Sequence, residues 1–112
     1  MNDLNARYAG FLRDIAAVYP DDEPLREQLR VVSITQEDWD EGRGGGHFKF
    51  STPASAAAVN YYTLDVFADD ADGGKIDIIL HFVNGLLNWG EWFRFDDEAI
   101  TRWPPPTLRA QF

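Results

Sequence analysis

Apolar side chains Leu4, Tyr8, Phe11, Leu12, Ile15, Val18 and Tyr19 recur at spacings of three and four residues. That is the stripe of an amphipathic helix. Asn2 or Asp3 can cap its start, and Pro20 stops it. "DDEPLREQLR" predicts a second, short helix, with Asp21 or Asp22 as cap, Pro24 in the first turn, and Leu25 and Leu29 on one face.

From Val31 the apolar period shortens to that of strands. "VVSIT" predicts a strand leading into a polar loop, "QEDWDEGRGGG". "HFKFS" alternates, with Phe48 and Phe50 on one side and His47 and Lys49 on the other. "STPASAAA" reads as a connector, "VNYYTLDVFAD" as a long strand and "DADGG" as a turn. "KIDIILHFV" and "LLNWGEWFRF" are joined by Asn84-Gly85, a pair that tolerates the positive φ of a type I′ hairpin.

Strict pairing across that turn sets Val83 against Leu86, Phe82 against Leu87, Leu80 against Trp89 and Ile78 against Glu91. Ile76, Ile78, Leu80, Phe82, Leu87, Trp89, Phe93 and Phe95 then form the core face. Asp77, Ile79, His81, Val83, Asn88, Gly90, Trp92 and Arg94 form a mixed outer face. Glu91 is the anomaly, a carboxylate on the apolar side. Either a bulge at Gly90 or a strand edge turns it outward, or it is buried and paired with a cation. A bulge would also make Trp92 rather than Phe93 the core residue.

These elements predict one α+β domain: two N-terminal helices packed on one face of a four- to five-stranded antiparallel meander sheet. Residues 1–30 are expected to be helical and 31–97 to form the sheet. Residues 98–112, "EAITRWPPPTLRAQF", are expected to be an extended proline-rich tail pinned by Trp103.

Composition narrows the chemistry. Nineteen acids against ten bases give a net charge of −9, which disfavours nucleic acid as partner and favours a basic protein. There is no cysteine, so disulfides, thiolate catalysis and cysteine-held metal centres are excluded. A cytoplasmic setting fits. Acids and arginines interrupt the N-terminal segment where a signal peptide would be apolar. No apolar run approaches the roughly 20 residues that span a bilayer, so no membrane partner is expected.

Catalytic patterns are weak. Ser33, Ser51 and Ser55 lie in no nucleophile elbow, and His47 and His81 are isolated, so no catalytic or metal-ligating residue and no cofactor is expected. A calcium loop through Asp70, Asp72 and Gly73 would need acids where Ala68 and Ile79 stand. "GRGGG" lacks the Gly-Lys-Ser/Thr ending of a phosphate loop. Trp39, set among Glu37, Asp38, Asp40 and Glu41, is the clearest binding candidate: an aromatic anchor ringed by acids, unless it folds back onto the sheet.

"DEGRGGGHFKF" and "DDADGGKIDIILHFVNGLLNWGEWFRFDDEAITRWPP", about residues 40–105, resemble a family of small bacterial proteins of unknown function. The shared pattern has a glycine-rich turn before a strand, an Asp-Gly turn and a hairpin. It ends on an aromatic-basic-x-Asp strand end, here Phe93, Arg94 and Asp96, and a closing Trp103-Pro104. The chain departs from it at Gly90 and in a glycine-richer loop. The resemblance implies an immunity or accessory protein of a bacterial toxin system and offers no catalytic residue.

Three functional expectations follow. The first is an immunity protein or inhibitor that neutralises a basic toxin domain through Glu37, Asp38, Trp39, Asp40, Glu41, Asp70, Asp72, Asp77, His81 and Trp92. The second is a small enzyme or ligand-binding domain using Tyr61, Tyr62, His81, Glu91 and Trp92 between helices and sheet. The third is an accessory subunit that homodimerises through a sheet edge.

Overall fold

The helical stripe at the N-terminus forms α1 (Asp3–Val18), and the second apolar pair forms α2 (Glu23–Val31). The computed structural model describes residues 3–111, so Asn2, the alternative cap of α1, lies outside the described residues. Asp22 rather than Asp21 caps α2: its carboxylate accepts the Leu25 N–H at 3.2 Å. Arg26 of α2 donates to the Ala16 carbonyl of α1 at 2.7 Å and locks the two helices together.

Six antiparallel strands follow: β1 (Ser33–Trp39), β2 (Gly45–Ser51), β3 (Thr63–Asp69), β4 (Lys75–Val83), β5 (Leu86–Arg94) and β6 (Thr107–Arg109). The class is α+β, but the sheet is neither four- or five-stranded nor a plain meander, since its order is β1-β2-β5-β4-β3-β6. β3, β4 and β5 are successive neighbours. The β1–β2 hairpin then joins them through β2 against β5. The sixth strand comes from the expected tail, where Ala68 pairs with Leu108. Prolines 104–106 precede β6 and therefore cost it no hydrogen bond.

Two loop boundaries also move. "QEDW" is strand, with Glu37 opposite Phe48 and Trp39 opposite Gly46. Acidic residues are poor strand formers, but a partner strand overrides that preference. Conversely, β3 begins only at Thr63; Val59 to Tyr62 belong to the connector, where Val59 N–H bonds to Gly85 O at 2.9 Å.

Asn84 (φ 53°) and Gly85 (φ 78°) turn the β4–β5 hairpin with both residues at positive φ, as a type I′ turn requires. Val83 faces Leu86 and Phe82 faces Leu87, as expected. The register then slips by one: His81, not Leu80, faces Trp89. The bulge therefore lies at Asn88, before Trp89, rather than at Gly90. Every later residue of β5 changes side. Gly90, Trp92 and Arg94 point into the core, whereas Trp89, Glu91 and Phe93 point out.

The bulge has a sponsor in α2. Gln28 is fully buried, accepts the Leu87 N–H at 2.8 Å, and donates to Ala57 O and Gly85 O, both at 2.7 Å. One side-chain amide thus satisfies the Leu87 N–H beside the bulge and ties the connector and the hairpin turn to α2. On the same face Trp92, 1% exposed, stacks between Trp103 at 4.5 Å and Phe48 at 5.1 Å. Tyr8 of α1 meets Phe48 edge-on at 5.9 Å, and Phe11 meets it at 6.3 Å. Gly90 is glycine because Phe48 covers it: a Cβ there would come within 2.3 Å of the ring.

Candidate functional site

The inverted register of β5 builds a second surface on the side of the sheet away from the buried cluster. Three cross-strand rows define it. His47, Glu91, Ile79 and Asp65 form one, and Lys49, Trp89, His81 and Thr63 the next. Gly45, Phe93, Asp77 and Phe67 form the third, which ends at Arg109. Three carboxylates, Asp65, Asp77 and Glu91, lie in the middle, with Lys49 and Arg109 at the two ends.

Trp89 and His81 stack face to face, rings 3.8 Å apart and 2° from parallel. His81 Nε2 lies 3.0 Å from Glu91 Oε2, so Glu91 is an outward carboxylate paired across the bulged hairpin and not a buried ion. His47 Nε2 is 3.4 Å from Asp38 at the next strand boundary. Phe93 (37%) and Phe95 (52%) stand exposed at one side. A depression of about 340 Å³ opens among Asp40, His47, Trp89, Glu91 and Phe93.

Asp77 is the unusual member. It is 7% exposed, and its Oδ1 has no hydrogen-bond partner among the described residues. Burial, then the charges of Asp65 and Glu91, push its carboxyl up to about 6. A buried acceptor without a donor is rare and calls for a reason.

The other expected acids are placed differently. Glu37 points to the helix side, where it binds Arg7 at 3.0 Å, the Tyr8 hydroxyl and the Trp39 indole N–H at 3.1 Å. Trp39 is half-buried, edge-on to Trp92 at 5.1 Å, with the Arg43 guanidinium 4.3 Å over its ring. The expectation of an exposed tryptophan in an acid-ringed loop is thus corrected, because the strand extends through it. Asp38 reaches the outer face, Asp40 just past the strand lines the depression there, and Glu41 sits exposed in the loop that follows. Trp92 does not stand on the outer face with Asp77 and His81, because the bulge turns it inward.

Asp70 and Asp72 belong to an ion knot around buried Arg94. Arg94 bonds to Asp70 and Asp72 at 2.8 Å each and grips Asp96 with two nitrogens at 2.7 and 2.9 Å. Hydrogen bonds to Asp96 and Asp72 raise the guanidinium's affinity for its proton. Burial opposes the charge on Asp70, but donors from Thr101, Ala71 and Arg102 outweigh it and hold the carboxyl at about 2. This knot fastens the β3–β4 turn to the chain after β5.

Of the alternative pocket residues only His81 and Glu91 meet, and they do so on the outer face rather than between helices and sheet. Tyr61 packs edge-on against Phe82 and donates to Asp22 at 2.7 Å. Tyr62 is 84% exposed. No group of three or more histidine, cysteine, aspartate or glutamate residues among those described is placed to hold a metal ion. No helix among them is long and apolar enough to cross a membrane.

Comparison with protein-family models, with curated proteins and with solved structures finds no match to this chain.

Proposed function

We propose that the chain is a small acidic interaction protein that presents the outer face of its sheet to a basic protein, in the manner of a cytoplasmic immunity protein or inhibitor of a toxin domain. Asp77 carries this reading. A partner's lysine or arginine laid over Asp65, Asp77 and Glu91 offsets the mutual repulsion of the three carboxylates, which holds the Asp77 carboxyl above its ordinary range. Trp89 and Phe93 supply the aromatic area that dominates interface energetics. The net charge of −9 adds long-range steering.

The test immobilises the wild-type chain beside an Asp77→Asn/Glu91→Lys variant of confirmed fold in extract of the source cell. The expected result is a basic protein held by the first and lost from the second. Its association should slow when salt rises from about 0.05 to 0.5 M, where the Debye length falls from roughly 14 to 4 Å. An identical captured set on both proteins sinks the proposal.

The His81–Glu91 contact beside a carboxyl near 6 favours a second reading, a small-molecule site with acid–base chemistry. Turnover abolished by His81→Ala in purified protein would favour it over the docking face.

A further inference from the structure

In a chain with nearly twice as many acids as bases, three of the ten basic residues line one groove. It runs between α1 and α2, encloses about 490 Å³, and has Arg13 on one wall with Arg26 and Arg30 on the other. Its volume exists because α1 places Ala9 and Ala16 at the contact, where larger side chains would close it. Leu12 and Leu29 give it an apolar floor that belongs to the buried cluster.

The arginines differ in what they already hold. Arg26 is engaged, with Ala16 O at 2.7 Å and Glu23 at 3.5 Å. Among the described residues Arg13 and Arg30 make no ion pair or side-chain hydrogen bond. Two exposed guanidinium groups without carboxylate partners, over an apolar trough, form a surface with one chemical preference. Guanidinium binds carboxylate through two parallel hydrogen bonds, and the trough accepts hydrocarbon. The overall negative charge does not forbid an anion there, since charges beyond about 8 Å are largely screened at physiological ionic strength. The volume falls in the range of pockets that hold small molecules.

We propose that the α1–α2 groove binds a monomeric alkyl carboxylate, with its head on Arg13 and Arg30 and its chain along Ala9, Leu12, Ala16 and Leu29. This site is separate from the outer sheet face and independent of its partner.

Titration of the full chain with decanoate below its micelle concentration, followed by calorimetry and backbone amide NMR, tests it. The expected result is saturable one-to-one binding with shifts concentrated in residues 5–32. Octanoate should bind roughly tenfold more weakly, since two buried methylenes are lost. Decanol and decyltrimethylammonium should each bind at least tenfold more weakly than decanoate. Arg13→Gln/Arg30→Gln, both at exposed positions, should fold normally and lose at least tenfold in affinity. Glu91→Gln on the outer face should bind as wild type. The proposal is overturned by the absence of saturable binding, by a cationic amphiphile binding equally well, by an undiminished double variant, or by binding only to anionic vesicles.

Discussion

The two faces of the β4–β5 hairpin carry similar residue types and treat them differently. On the inner face Trp92 lies between two rings and Arg94 is held by three carboxylates. On the outer face Trp89 has a histidine ring as its stacking partner, and Asp77 has a buried oxygen with no donor. The inner ions are paired and fasten strands together, although the Trp92 indole N–H is also buried without an acceptor among the described residues. The outer ones are incompletely answered, which is how a surface is built when its complement comes from elsewhere.

The two tryptophans provide the sharpest way to break this comparison. Trp92→Ala should destabilise the fold by about 3–5 kcal/mol, the usual cost of emptying a large aromatic site. Trp89→Ala removes one cross-strand stack and should cost about 1 kcal/mol or less. Urea denaturation measures both. Equal losses would mean that the outer face is structural too.

Asp77 should separate the faces by sign. Its folded carboxyl titrates near 6, above the ordinary 3.8. The folded state therefore binds the proton more tightly, and stability contributed by Asp77 falls as pH rises from about 4 to 6. Asp77→Asn should stabilise the protein at pH 8, by up to about 3 kcal/mol for a shift of about two units. The gain should vanish below pH 4. A variant no more stable than wild type at pH 8 would show that Asp77 is not held at a cost.

Gln28 bears on the bulge that sets the faces apart. Gln28→Ala leaves Leu87 N–H and Ala57 O without the side-chain partner, while Gly85 O keeps the Val59 N–H, and should cost about 1–3 kcal/mol in the same denaturation experiment. A neutral substitution would mean that the register of β5 does not depend on α2.

This hairpin also marks where sequence reasoning stops. The helices, the Asn84-Gly85 turn and the Phe48/Phe50 alternation were legible because each depends on residues close in sequence. The misfit of Glu91 revealed that some bulge was needed. Its position was not legible, because it rests on Gln28, about sixty residues away, bonding to Leu87. A polar residue on the apolar face of α2, beside Leu25 and Leu29, was the available signal. Since one bulge moves every later side chain of β5, placing it two residues late put Trp89 in the core instead of on the outer face. β6 was missed for the same kind of reason, as three residues after a proline run pair only because β3 offers an open edge. Of the outer surface, Asp77 and His81 were anticipated, Trp89 and Phe93 emerged only with the corrected register, and Asp65 with the pairing of β3 on β4.

The smallest stability effect carries the functional test. Glu91 makes a half-exposed contact with His81, and such pairs contribute about 0–1 kcal/mol. Glu91→Lys should therefore leave the unfolding free energy within about 1 kcal/mol of wild type, in contrast to Trp92→Ala on the same strand. Its effect should fall on association instead. Reversing one charge among three clustered carboxylates weakens the field a basic partner approaches, so the association rate should drop several-fold at low salt and the difference should shrink at about 0.5 M. Trp89→Ala should act in the complementary way, raising the dissociation rate with little change in association, because an aromatic contact forms only after encounter. Stopped-flow mixing with the captured partner separates the two rates. If Glu91→Lys leaves association unchanged while Trp89→Ala leaves dissociation unchanged, the partner does not dock on this face, whatever its affinity.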